Sequence, residues 1–146
     1  MIQDSIKLTG ELRITVTNPE GNVKHETVIP NLVVTAGKNL IASRLKDTTD
    51  GAMSHMAIGT GTTAAAAGDT TLGTEAGRVA LTSTTVTNNA VAYVATFGAG
   101  TGTGAITEAG LFNASSSGTM LCRTVFSVIN KGAADTLGIT WTVTVN

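Results

Sequence analysis

Ten residues near the end of the chain, 136–145, alternate between apolar and polar positions. The apolar positions are Leu137, Ile139, Trp141, Val143 and Val145, and threonine or glycine stands before and between them. Successive side chains of a strand point to opposite faces of the sheet. The alternation therefore predicts a strand with one buried face and one face covered by hydroxyl groups.

A similar alternation lies near the start of the chain. Leu12, Ile14 and Val16 alternate with charged residues and threonine, and the sequence Asn-Pro-Glu-Gly follows at residues 18–21. Proline favours the second position of a tight turn, and glycine can adopt a positive φ. The pattern predicts a strand, a turn and a return strand over Val23–Ile29.

The sequence predicts one short helix. Pro30 ends the return strand, and Thr35 is a residue type that can cap a helix running to about Lys46. Gly37 lies inside this segment and costs about 1 kcal/mol relative to alanine. One face of the helix would carry Ala36, Leu40, Ile41 and Leu45.

The remaining segments complete an all-β pattern. The glycine-rich stretches 59–68 and 98–104 predict loops, and Asn88-Asn89 predicts a hairpin turn. A series of about eight short strands at near-regular spacing predicts an antiparallel sandwich of jelly-roll type. We expect residues 1–146 to form a single domain. The further predicted strands are Met56–Ile58, Arg78–Thr87, Ala90–Phe97, Ala105–Asn113 and Thr119–Ile129.

Composition supports the all-β fold class and indicates what kind of molecule the protein binds. The chain has 27 Thr, 13 Val and 9 Ile, about a third of its 146 residues, and β-branched residues favour strands. Charged residues make up 13%, about half of the roughly 25% of an average domain. A net charge of −1 argues against nucleic acid as a partner, and we expect neither a signal peptide nor a membrane anchor. Interface cores are poor in charge, so the composition favours a subunit of an assembly.

The residues offer no recognisable catalytic, cofactor or metal site. Residues 59–64 read Gly-Thr-Gly-Thr-Thr-Ala, which fits a dinucleotide-binding pattern, but no acidic residue follows at the required distance. His25 and His55 lack metal-ligand spacing and are expected at the surface, His55 in a loop. Cys122 shares an apolar strand face with Met120, Phe126 and Val128 and is expected to be buried and inert. We therefore expect a protein that is not an enzyme and has no small-molecule substrate.

Two pairs of opposite charges lie in otherwise uncharged stretches. They are Glu75 with Arg78, and Glu108 with Arg123. An acid–base site is one interpretation, but ion pairing that fixes the packing of strands and loops is the favoured one.

Several segments resemble a pattern found in small virion proteins of tailed bacteriophages. The residues that carry the resemblance are Asn31–Gly37, Ala57–Thr63, Leu72–Glu75 with Arg78, Ile106–Phe112 and Leu121–Phe126. The pattern is shared by capsid-decorating (cement) proteins and by domains of tail-fibre and tail-tip proteins. The resemblance implies a β-sandwich that binds the outer surface of the capsid and braces contacts between major capsid subunits.

The resemblance also implies a partner and a location. The partner would be the major capsid protein, the chain would form a dimer or trimer, and the location would be the outside of the virion. A tail-fibre or tail-tip component is the alternative. A carbohydrate-binding module is a second one, although such modules present several aromatic side chains and aromatics make up only 3% of this chain.

Two segments are candidate partner interfaces. The first is a possible N-terminal arm that precedes the first alternation, and an ordinary frayed terminus or short edge strand is the alternative. The second is the pair of glycine-rich loops 59–68 and 98–104, where small residues permit close backbone approach, although mobile surface loops are the favoured interpretation. The candidate residues are Met1, Ile2, Gln3, Asp4, Ser5, Ile6, Lys7, Gly98, Gly100, Gly102 and Gly104.

Overall fold

The computed structural model describes residues 4–146, which form ten strands and one helix. Met1, Ile2 and Gln3 of the predicted arm lie outside the described residues. The elements in chain order are β1 (Leu8–Thr17), β2 (Val23–Pro30), β3 (Leu32–Val33), α1 (Thr35–Lys46), β4 (His55–Gly59), β5 (Glu75–Ala80), β6 (Ser83–Thr87), β7 (Ala90–Phe97), β8 (Gly104–Phe112), β9 (Met120–Lys131) and β10 (Thr136–Val145).

The strands form two antiparallel sheets that pack as a sandwich. One sheet has the order β2-β1-β10-β7-β6, and the other has the order β3-β9-β8-β4-β5. The first strand pairs with the last over its whole length, from Leu8 opposite Val145 to Thr17 opposite Thr136. The all-β sandwich predicted from the sequence is confirmed.

The predicted alternations supply the centre of the core. Leu12, Ile14 and Trp141 are fully buried on the inner face of the first sheet, where Leu12 lies opposite Trp141. Phe97 and Ile58 join them from β7 and β4. The β10 threonines between the apolar positions lie on the outer face, as predicted.

The helix has the predicted bounds, but two details of the prediction were wrong. Val34 occupies the N-cap position without a side-chain hydrogen bond, and Thr35 is already the first helical residue. Leu40 is buried, whereas Leu45 is 86% exposed and does not share its environment. Leu45 lies at the C-terminal end of α1, where the side chain is left in solvent.

Residues 4–146 contain ten strands where the sequence predicted about eight. The predicted strand Arg78–Thr87 is two strands in different sheets, because the Leu81 N–H donates to the Ser54 carbonyl and the next N–H, that of Thr82, donates to Val94. The two-residue strand β3 was also missed. His55, expected in a loop, is the first residue of β4 and is partly buried.

A bulge in β9 shows that one prediction was wrong, namely that Val128 shares a buried strand face with Cys122. Ile106 lies opposite Ile129 but Glu108 lies opposite Val125, so β9 contains extra residues between these pairs. The side-chain alternation is interrupted there, and Val128 is 54% exposed rather than packed beside Cys122. Cys122 itself is buried, as predicted, and burial raises the pKa of its thiol.

Candidate functional site

The segment that links β4 to β5 folds around one buried carboxylate. Glu108, on β8, is 0% exposed and accepts hydrogen bonds from the backbone amides of Gly61 (2.9 Å), Gly73 (2.8 Å) and Thr74 (2.7 Å). The Arg123 guanidinium, on the neighbouring strand β9, donates to the same carboxylate from Nε (3.2 Å) and Nη2 (2.9 Å). The pairing expected between Glu108 and Arg123 is confirmed.

Arg123 extends this network to the rest of the linking segment. Its Nη1 donates to the Asp69 carboxylate at 2.7 Å, and its Nη2 donates to the Thr63 carbonyl at 2.9 Å. The Arg123 side chain is 3% exposed, and the Asp69 side chain is 24% exposed. We name the three side chains Glu108, Arg123 and Asp69 the buried ion triad.

The buried ion triad also explains the glycine pattern at residues 59–64. A Cβ atom at Gly61 would lie 2.5 Å from Glu108 Oε1, and one at Gly59 would lie 2.3 Å from the Thr74 carbonyl oxygen. Both contacts are closer than any side chain tolerates. The Gly61 amide therefore helps to hold the chain's own carboxylate, much as glycine-rich loops hold phosphate, and Gly59 leaves room for the Thr74 carbonyl.

The electrostatics of the triad favour a structural role over acid–base chemistry. Burial alone raises the pKa of Glu108, but the three loop amides and the Arg123 guanidinium outweigh that effect and hold the pKa below its usual value. The backbone amide of Ala66 and the Arg123 guanidinium likewise lower the pKa of Asp69 against a raising effect of burial. A general acid or base needs a pKa near the working pH, and these carboxylates are moved away from it.

The second expected ion pair fixes another turn. The Arg78 Nη2 lies 2.7 Å from Glu75 Oε1, and Arg78 Nη1 donates to the carbonyls of Ala114 (3.0 Å) and Ser117 (2.9 Å). The guanidinium carbon lies 3.8 Å from the ring centre of Phe112. The pairing is confirmed, and it attaches the β8–β9 turn to β5.

The N-terminal candidate segment is exposed where the structure describes it. Asp4, Ser5 and Ile6 lie outside any strand, and Ile6 is 76% exposed. Lys7 is held in place, because its backbone exchanges hydrogen bonds with that of Asn146 at 3.1 Å and 2.7 Å. Asp4 to Lys7 are all exposed, and only Lys7 is bonded to the sheet, beside the end of β10.

The glycine loop 98–104 is tied to the turn before β10. The Lys131 ammonium donates to the Gly98 carbonyl at 2.8 Å, and the Gly100 amide donates to Ala133 at 2.8 Å. Gly102 is buried against Ile58, where a Cβ atom would lie 2.5 Å from Ile58 Cδ1. Gly100 is exposed, and Gly98 and Gly104 are partly buried.

Sequence reasoning missed one uncharged surface on the first sheet. On the outer side of the first sheet, three neighbouring strands carry small side chains that lie directly opposite one another, with no charged group among them. We name this surface the threonine–alanine face, defined by Thr140, Thr142, Thr144, Ala90, Ala92, Val94, Ser83, Thr85 and Thr87. The β10 alternation did predict a face of threonine side chains. The strands that extend this face beside β10 depend on the sheet topology, which the sequence pattern does not specify.

Comparisons with known proteins identify no relative. No protein family, no curated protein and no solved structure matches the chain. Within residues 4–146, no group of three or more His, Cys, Asp or Glu side chains is placed to hold a metal ion. In the same residues, no helix has the length and apolar character needed to cross a membrane.

Proposed function

We propose that this chain is a non-enzymatic virion structural protein that binds the outer capsid surface and braces contacts between major capsid subunits. The observation that carries the proposal is the threonine–alanine face, which spans three strands without a charged side chain. Cores of protein interfaces are depleted in charged residues, and this face carries none. The resemblance of residues 31–126 to phage virion proteins supports the same function.

Decoration suits a protein with this surface because the shell offers many equivalent sites. A subunit that contacts more than one capsid protein gains from effective concentration, so modest contacts produce firm attachment. The exposed Asp4–Ile6 segment lies at the end of the same sheet, where it can add a contact to a neighbouring subunit. Main-chain hydrogen bonds from such a segment would supply affinity.

The nested strand pairing supports a jelly-roll origin for the sandwich. The first strand pairs with the last, β1 with β10, and β3 pairs with the penultimate strand, β9. Double-sheet jelly rolls arise from paired strands that wrap around a core together. We include this topology in the proposal.

The carbohydrate-binding alternative finds no support in the aromatic side chains. Trp141, Phe97 and Phe112 are at most 1% exposed, and Tyr93 and Phe126 are partly buried. Sugar recognition by stacking needs aromatic rings presented to solvent. None of these five rings forms an exposed platform in the described structure.

The copy number of the chain in purified virus particles tests the proposal. Particles made from the genome that encodes this chain are separated on a gel, and the band is measured against the major capsid protein. A simple ratio to the shell protein is expected for decoration. A few copies per particle would favour the tail-fibre or tail-tip alternative, and complete absence would contradict both.

A pair of matched variants then tests the surface. Thr140→Arg places a charge on the threonine–alanine face, at its β10 border, and Thr48→Arg places the same charge in the exposed loop after α1. We expect Thr140→Arg to lower occupancy on the capsid and Thr48→Arg to leave it unchanged. Deletion of residues 2–7 is expected to weaken binding while the fold stays intact. Unchanged occupancy in both Thr140→Arg and the deletion would exclude these surfaces.

A further inference from the structure

Residues 4–146 form four sheet edges, and three of them carry features that discourage pairing with another strand. On β2 these are Lys24, Glu26 and Pro30, together with a shift in register. On β5 they are Glu75, Arg78 and a second register shift, and β3 has only two residues. Charged side chains, proline, bulges and short length are the known protections of an exposed edge.

The fourth edge, β6, lacks all of these features. Its sequence from Ser83 to Thr87 is Ser-Thr-Thr-Val-Thr, with no charge and no proline. All five residues are exposed, and Val86 is 68% exposed. An uncharged edge strand exposed on both faces is suited to pairing with another strand.

The hydrogen-bond pattern of β7 fixes which β6 groups point outward. The Asn89 carbonyl accepts from Val145 at 2.9 Å, so odd-numbered residues at this end of β7 bond to β10. The Val94 carbonyl accepts from Thr82 at 2.7 Å, so even-numbered residues bond towards β6. In an antiparallel pair, alternate residues exchange both of their hydrogen bonds.

The outward groups of β6 therefore belong to Thr84 and Val86. Ser83, Thr85 and Thr87 lie opposite the even-numbered residues of β7 and direct their N–H and C=O groups towards that strand. The N–H and C=O groups of the two residues between them point away from the sheet.

We propose that two copies of this chain pair through β6, antiparallel, about a two-fold axis at Thr85. In this register Thr84 of each copy lies opposite Val86 of the other, so the outward groups meet and form about four main-chain hydrogen bonds. Threonine side chains face threonine or serine on the outer face, a favourable cross-strand pair. No like charges meet, because β6 has none.

We take the partner of β6 to be β6 of a second copy, because in this register the outward N–H and C=O groups of the two strands match. Pairing joins two five-stranded sheets into one continuous sheet and extends the threonine–alanine face across the axis. This inference does not depend on capsid binding, since it concerns the isolated protein. It names the surface through which the expected homo-oligomer forms.

Disulfide trapping of a Thr85→Cys variant tests the pairing directly. At the two-fold axis residue 85 faces its own copy in a non-hydrogen-bonded pair, where Cα atoms lie about 4.5 Å apart, within the range that a disulfide spans. Thr140→Cys is the matched control, because Thr140 is exposed on the same sheet but on the central strand β10. Under mild oxidation we expect a covalent dimer from Thr85→Cys and none from Thr140→Cys or from the unmodified protein, whose Cys122 is buried.

Light scattering on the unlinked protein provides the second measurement. From about 1 μM to about 1 mM, the unmodified chain is expected to shift from monomer to dimer mass. Thr84→Pro removes an outward N–H and leaves the bonds to β7, and Thr85→Lys places like charges at the axis, so each should keep the protein monomeric. At about 1 μM, where the unmodified chain is a monomer, the melting temperatures should be equal, because dimer formation does not yet add to its stability. A monomer at every concentration, equal cross-linking of both cysteine variants, or a dimer that survives both substitutions would overturn the proposal.

Discussion

Gly37 of α1 lies directly against the backbone of Leu121 on β9. A Cβ atom at Gly37 would be 2.3 Å from the Leu121 carbonyl oxygen and 2.8 Å from its Cα atom. Backbone atoms cannot move aside as a flexible side chain can. The glycine that weakens the helix by its intrinsic propensity is therefore what lets the helix pack on the sheet.

Replacement of Gly37 by alanine is expected to destabilise the protein. The gain in helix propensity is about 1 kcal/mol, and overpacking against backbone costs about 1–3 kcal/mol or more. Urea unfolding should show that Gly37→Ala has a lower free energy of unfolding than the unmodified protein. Asn39→Ala is the control, because Asn39 is exposed on the same helix and should gain a few tenths of a kcal/mol. Equal stability of Gly37→Ala and the unmodified protein would show that α1 can shift to make room.

The Glu108→Gln substitution should lower the free energy of unfolding by about 3–5 kcal/mol. The buried Arg123 charge would then lose its paired carboxylate at Glu108. Hydrogen exchange should also become faster at the amides of Gly61, Gly73 and Thr74, which bond to this carboxylate. Glu75→Gln is the matched control, and its loss should stay below about 1 kcal/mol because Glu75 is 38% exposed. A loss confined to global stability, with unchanged exchange at those amides, would contradict a role in holding the loop.

Stability is expected to fall in acid through the same carboxylates. The folded pKa values of Glu108 and Asp69 lie below their ordinary values, so the folded state is favoured where both groups are ionised. That contribution is complete above the unfolded pKa values, about 4, and is lost as pH falls through the folded ones. Urea unfolding between pH 7 and pH 2 should show a shallower pH dependence in Glu108→Gln than in the unmodified protein. Parallel curves would mean that other carboxyls, such as Asp135, account for the acid loss.

Two leucines of α1 should respond differently to substitution. Leu40 is 8% exposed and contacts the core, so Leu40→Ala should cost about 2–5 kcal/mol. Leu45 is 86% exposed, and Leu45→Ala should change the free energy of unfolding by less than about 0.5 kcal/mol. A large loss at Leu45 in chemical denaturation would indicate that a second molecule covers it in solution.

The sequence predicted those parts of the fold that depend on local pattern. The alternations over residues 12–16 and 137–145 each define a strand with a buried face, and only the last apolar position, Val145, is exposed against the prediction, at 44%. The helix bounds were also predicted from local pattern, namely Pro30 before the helix, Thr35 at its start and the apolar spacing within it. The chain around Leu81 behaves differently, because two consecutive amides bond to different sheets and no local pattern distinguishes that crossing from a continuous strand.

The buried ion triad could be predicted only in part. Glu108 and Arg123 stood out as opposite charges in uncharged surroundings, and their pairing followed. The third member, Asp69, and the loop amides of Gly61 and Gly73 lie far from them in sequence. Their positions depend on how the segment between β4 and β5 folds back, which a pattern of residue types does not specify.

The pairing of β1 with β10 sets how the molecule responds to tension. Lys7 and Asn146 are neighbours, and the ladder between the two strands begins beside them at Leu8 and Val145. A force that pulled these two positions apart would open the ladder one rung at a time, since each hydrogen bond would carry the load alone. Under the proposed function, load would therefore have to pass through the faces and edges of the sheets, where many bonds share it, rather than through Lys7 and Asn146.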